Sequence, residues 1–136
     1  MNALAPIGRV MFSLIFVLSV PNDFKQQTID YAAAAGVPLA HVAVPLAGLI
    51  ALVGGLSVAL GFHARMGAIA LLVFLVPVTL FMHRFWSVSD PQMAQMQMAS
   101  FMKNVALMGG SLFFVYAGSG AYSLDTRVHR HVFATR

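Results

Sequence analysis

Polar residues interrupt this chain at only a few places, and the intervals between them set its elements. From Ala3 to Val20 the sequence is apolar apart from Arg9 and two serines, with Pro6 where a first helical turn tolerates it, which predicts a first membrane span. Pro21-Asn22-Asp23 should break that span, Asp23 then capping a new helix that carries Phe24, Tyr31 and an alanine run. Gly36 suits the left-handed residue after a helix end, and Pro38 prevents continuation. This second helix is too polar and too short to cross, so it is expected to lie along the head groups. A second span follows at about 41–62 without a formally charged side chain, and Ala47, Ala51, Gly55 and Ala59 recur along it every four residues. Small residues at that spacing let another backbone approach closely in lipid. Gly61-Phe62-His63-Ala64-Arg65 leaves room only for an antiparallel return. The third span, at about 66–85, contains Pro77, which frees the carbonyl of Val73 and should kink the helix below its polar end. Ser89-Asp90-Pro91 then reads as a helix start and opens a fourth span at about 91–117, whose first turns are semi-polar and project beyond the hydrocarbon. Gly118-Ser119-Gly120 ends it, and a basic tail at 121–136 carries Asp125, His129 and His131. The expected fold is all-α: an integral membrane four-helix bundle with a short interfacial helix between the first and second spans.

Composition agrees with that pattern. The 136 residues are 60% hydrophobic and 9% charged, with a mean hydropathy of +0.83, far from the roughly 25% charge of soluble domains. One compact bundle uses up residues 1–136, so a single domain is expected. A basic n-region and a small-residue cleavage site before Pro21 are both missing, which makes the hydrophobic start a span in place of a signal peptide. The net charge of +4 comes from Lys and Arg scattered singly at span ends. That distribution excludes a nucleic-acid face and fits contact with lipid head groups. Four spans put both termini on one side with Arg9, Arg65, Arg127, Arg130 and Arg136, against Lys25, Arg84 and Lys103 on the other. The positive-inside rule then sets both termini in the cytoplasm. Without cysteine there are no disulfides, thiolate metal sites or thiol redox chemistry, so any electrons must be carried by another group.

Chemistry concentrates where the third and fourth spans meet. His83, Arg84 and Trp86 leave one span, and Lys103 and Asn104 stand near the entry of the next on the same side. Together these donors suit a quinone carbonyl or an anion, although Trp also belongs to aromatic belts, and Arg and Lys snorkel to head groups. At the opposite end Arg9, Arg65 and Asp125 are expected to form a structural ion cluster. Met93, Met96, Met98 and Met102 near His83 offer thioethers of the kind Cu(I) takes, but methionine is far more often soft apolar filler, and no metal site is expected. His63, His129 and His131 are read as interfacial or solvated, and no two histidines face each other mid-membrane to hold haem. Nucleophile-elbow, P-loop and dinucleotide motifs are missing.

Several short motifs occur in a recognisable order: Gly8-Arg9, Ala35-Gly36-Val37-Pro38, Gly54-Gly55, Gly61 with Arg65, His83-Arg84-Phe85-Trp86, Phe101-Met102-Lys103-Asn104 with Gly109-Gly110, and Gly118-Ser119-Gly120 before Ser123-Leu124-Asp125. In this set the chain resembles the DoxX family of small four-span membrane proteins. The resemblance implies a four-helix membrane fold and, from relatives linked to thiosulfate:quinone oxidoreduction and to membrane oxidoreductase complexes, a redox setting. It differs from many relatives in having Val20 and Asn22-Asp23 in place of glycine and then lysine at the end of span one, and Ala51 where a glutamate stands within span two. The expectation is a redox-associated subunit of a bacterial inner membrane that binds quinone or docks an oxidoreductase partner, more in keeping with a subunit than a stand-alone enzyme. The alternative is a non-catalytic structural or assembly subunit of a larger membrane complex.

Overall fold

In a computed structural model, residues 2–128 are described, and they form helices α1 (Leu4–Asp23), α2 (Gln26–Ala34), α3 (Ala40–Leu60), α4 (Ala64–Met82) and α5 (Pro91–Ala117), with a 3₁₀ turn at Phe85–Ser87. By length and composition α1, α3, α4 and α5 can each cross a membrane. Large apolar side chains such as Leu14, Val53, Val73 and Phe113 point outward, while the interior is built on Ala51, Val58, Ala68, Leu71, Leu75 and Phe16. Lipid is as apolar as leucine, so the helices gain little by burying leucine and associate instead through close packing.

Glycine provides that closeness on both flanks of α3. At Gly55 an added Cβ would lie 3.1 Å from the Cβ of Phe16 on α1, and at Gly54 it would lie 2.9 Å from the carbonyl of Gly67 on α4. The small face expected on the second span therefore meets α1, and Gly54, outside that four-residue repeat, meets α4. Helix α5 packs on α4 and closes the ring on α1 through Phe12 and Phe114, whose rings are 5.0 Å apart, with Phe12 seated against Gly110.

Three boundaries differ from the sequence expectation. Helix α1 runs through Pro21 to Asp23, because giving up one bond, to the Val17 carbonyl, costs less than unwinding the last turn where no water answers the backbone. Asp23 is thus the last residue of α1 and not the cap of α2, whose N-cap is Lys25. Helix α4 ends at Met82, so the polar stretch from His83 leaves the helix in place of extending it to 85. Helix α3 stops at Leu60 with Gly61 left-handed at φ 64°, and the chain turns through His63, itself at φ 49°. The start of α5 is as expected: the Asp90 carboxylate accepts the Met93 N–H at 2.7 Å, ahead of Pro91.

Helix α2 lies across one end of the bundle, with Ile29 and Ala32 packed on Ala40, Val44 and Met82. This α2 end also carries the connection from α4 to α5. The other end carries the start of α1, the turn at 61–63 and the segment after α5. Arg130, Arg136, His129 and His131 lie outside the described residues.

Candidate functional site

At the α2 end, a cavity of about 240 Å³ opens between α1, α2, α4 and α5. Asp23, Tyr31, His83, Gln97, Lys103 and Asn104 all border it, over walls that include Phe16, Phe74 and Leu75. A hydrogen-bonded chain fixes one side. Gln97 donates its Nε2 to the Tyr31 hydroxyl at 3.0 Å, and that hydroxyl donates to the Met82 carbonyl at 3.2 Å. The Gln97 oxygen therefore faces His83, 2.8 Å from Nδ1, so Nδ1 is the donor of that bond and Nε2 is not used by it.

Asn104 is 4% exposed, and its carboxamide has no hydrogen-bond partner among the described residues. Its polar atoms are not sealed off, unlike Ser111 Oγ on the same helix face, so they are open to a group in this cavity that can bond them. Lys103 borders the same cavity from a more exposed position. Asp23 faces Gly48, where an added Cβ would come within 2.7 Å of the Asp23 Cβ, and its Oδ2 is buried without a partner. The negative end of the α1 dipole makes that carboxylate still less comfortable.

His83, Lys103 and Asn104 thus share one cavity, whereas Arg84 and Trp86 stand apart from it. The Arg84 guanidinium donates to the Ala35 carbonyl at the end of α2 and borders a separate pocket. Trp86 is 57% exposed and stacks edge-on against Phe85 and Phe101, with ring centroids 5.1 and 5.9 Å away. Met93, Met96, Met98 and Met102 are all exposed, and among the described residues no cluster of three His, Asp or Glu could hold a metal.

Asp23, Tyr31 and Gln97 escaped the sequence reading. The signal for Gln97 was present: Gln97, Asn104 and Ser111 fall seven residues apart on the inward face of α5. Asp23 continues the inward face of α1 that carries Arg9, Ser13 and Phe16, once the helix is allowed to pass Pro21.

At the opposite end Arg9 is 2% exposed, and its guanidinium donates to the carbonyls of Ser119, Ala121 (3.2 Å) and Tyr122 (2.8 Å). Asp125 lies within electrostatic range of Arg9. Its carboxylate accepts the His63 N–H at 3.1 Å and the Ser119 hydroxyl, while its own N–H donates to the Gly61 carbonyl at 3.1 Å. Arg65 reaches the Tyr116 carbonyl at 3.4 Å, at the end of α5. The three residues expected as an ion cluster gather at this end: Arg9 and Arg65 donate to backbone carbonyls, and Asp125 accepts from the His63 N–H and the Ser119 hydroxyl.

Comparison with known proteins agrees with the architecture. The inner membrane protein YphA of Escherichia coli (strain K12) is 28% identical over 123 residues, covering 89% of this chain and 87% of that protein. No solved structure matches the chain. The DoxX family model matches residues 4–84, from the start of α1 through α4 to Arg84. With that match over more than half its length and four helices able to cross a membrane, the chain is a multi-pass membrane protein and belongs to the DoxX family.

Proposed function

We propose that this protein is a redox-associated subunit of an inner membrane, working as one domain, which holds a quinone in the cavity between His83, Lys103 and Asn104 and serves an oxidoreductase partner. The observation that carries the reading is the Asn104 carboxamide, on a residue 4% exposed, without a hydrogen bond to the described residues and bordering a cavity with His83 and Lys103. A quinone carries two carbonyl acceptors on an apolar ring, so Asn104 and Lys103 can donate to it while Phe74, Leu75 and Leu107 enclose the ring. Arg84 and Trp86 support the site from outside, Arg84 by tying α2 down and Trp86 by packing on Phe101. The link of some DoxX relatives to quinone oxidoreduction points the same way. YphA is described as an inner membrane protein, which supports that location for this chain.

Organic extraction of the purified protein, with mass spectrometry of the extract, tests the reading. Quinone near one per chain in the native protein and a large loss in Asn104→Leu is the expected result. A quinone content unchanged in Asn104→Leu, or a reproducible partner complex that holds no quinone in this subunit, would favour a purely structural role.

A further inference from the structure

Asp23 also borders a second, adjoining cavity of about 330 Å³ between α1, α2, α3 and α4. Apolar side chains line it, including Val44, Ala47, Phe74, Val78 and Phe81, and Asp23 is its one charged residue. Among the described residues the buried Asp23 Oδ2 has no hydrogen-bond partner, and it lies against Gly48. Helix α1 ends at Asp23 itself, so the carboxylate carries the partial negative charge of its own helix C-terminus beside it, while α2 and α3 begin nearby at Gln26 and Ala40. Of the nearby cations, Lys25 donates to the Asn22 side chain at 2.8 Å and Arg84 to the Ala35 carbonyl. Two aromatic rings, Phe74 and Phe81, stand in the wall. An acidic side chain with no hydrogen bond to the described residues and aromatic walls in an apolar chamber match a ligand with positive charge on a hydrocarbon body.

We propose that this cavity binds a hydrophobic primary amine in its ammonium form, the ammonium on Asp23 and the hydrocarbon against Phe74 and Phe81. The assignment is independent of the quinone reading, which rests on Asn104 in the neighbouring cavity. Its rival is internal: Lys103 borders the adjoining cavity together with Asp23 and could neutralise it without any ligand.

Isothermal titration of the full-length protein in mild detergent with phenethylammonium, and separately with phenethyl alcohol, distinguishes the two. The amine should bind saturably and the neutral alcohol about tenfold more weakly, as a charge-assisted contact requires. Asp23→Asn should weaken the amine by about tenfold and erase that preference. Ala47→Leu, which fills the chamber while keeping the carboxylate, should remove both ligands. Equal affinity of the native protein for amine and alcohol, or no saturable amine binding at all, would overturn the proposal. That comparison needs no variant and stands even if Asp23→Asn does not fold.

Discussion

Arg9 and Asn104 are both buried residues with polar side chains, and they differ in what surrounds their polar atoms: Arg9 Nε has no partner among the described residues, but the guanidinium ends are held. Arg9 cannot shed its charge in a low-dielectric setting, and both its terminal nitrogens meet carbonyls of the segment after α5. Asp125 completes the same junction through the His63 N–H and the Ser119 hydroxyl. Removing one partner of such a set leaves the other buried and unpaired, which costs about 3–5 kcal/mol for a charge. Arg9→Met is therefore expected to lower the melting temperature strongly and Asp125→Ala to a lesser degree, each leaving quinone binding per folded molecule unchanged. Thermal unfolding followed by circular dichroism checks this, and an unaltered midpoint in both variants would contradict it. Asn104 differs: its carboxamide makes no hydrogen bond within the described residues and borders the cavity, where a ligand can reach it.

Helix by helix, the glycines separate those that hold α3 between its neighbours from those that merely occupy a helix. An added Cβ at Gly54 would approach the Gly67 carbonyl to 2.9 Å, whereas Gly8 and Gly109 have nothing within 4 Å. Gly54→Val should thus push α3 from α4 and destabilise by about 1–3 kcal/mol or more. Gly8→Ala and Gly109→Ala should be neutral or stabilising by up to about 1 kcal/mol, since alanine orders the helix at lower entropic cost. Melting of the three variants in one detergent tests the contrast. The same elements explain what could be read beforehand. Span positions follow from runs of hydrocarbon, and the start of α5 from Asp90 and Pro91, because both signals are local. The end of α1 was misplaced because Pro21 is a strong local breaker, while the backbone of a membrane helix has no water to turn to if it unwinds early. That error hid Asp23. Tyr31 and Gln97 meet across 66 positions of sequence, a contact that no spacing rule on one helix can reveal. Arg84 and Trp86 looked like neighbours of Lys103 in order along the chain, but the helix ends at Met82 and turns them elsewhere.

The whole molecule has two unlike ends: a stapled one, where Arg9, Arg65 and Asp125 bind the chain after α5 to the turn at 61–63, and a hollow one beneath α2. Arg9, Arg65 and Arg127 stand at the stapled end, joined in sequence by Arg130 and Arg136, against Lys25, Arg84 and Lys103 at the hollow end. Both termini are expected in the cytoplasm on this bias. Reporter fusions after Arg136 and within the loop at Asp90 test it: a cytoplasmic signal from the first and an external one from the second are predicted, and the reverse would refute the orientation. The hollow end would then face away from the cytoplasm, where a mobile quinone or a partner could reach it. On the proposed reading, His83, Lys103 and Asn104 act together on one ligand there. Trp86, the single tryptophan, stacks on Phe101 close in sequence to Lys103 and so reports on this end. Titration of a short-chain quinone by Trp86 fluorescence, on native protein, Lys103→Met and Asn104→Leu, is the most direct measurement. Saturable quenching in the native protein, weakened by about 1–3 kcal/mol in each variant, is predicted, and equal, non-saturating quenching in all three would contradict the account.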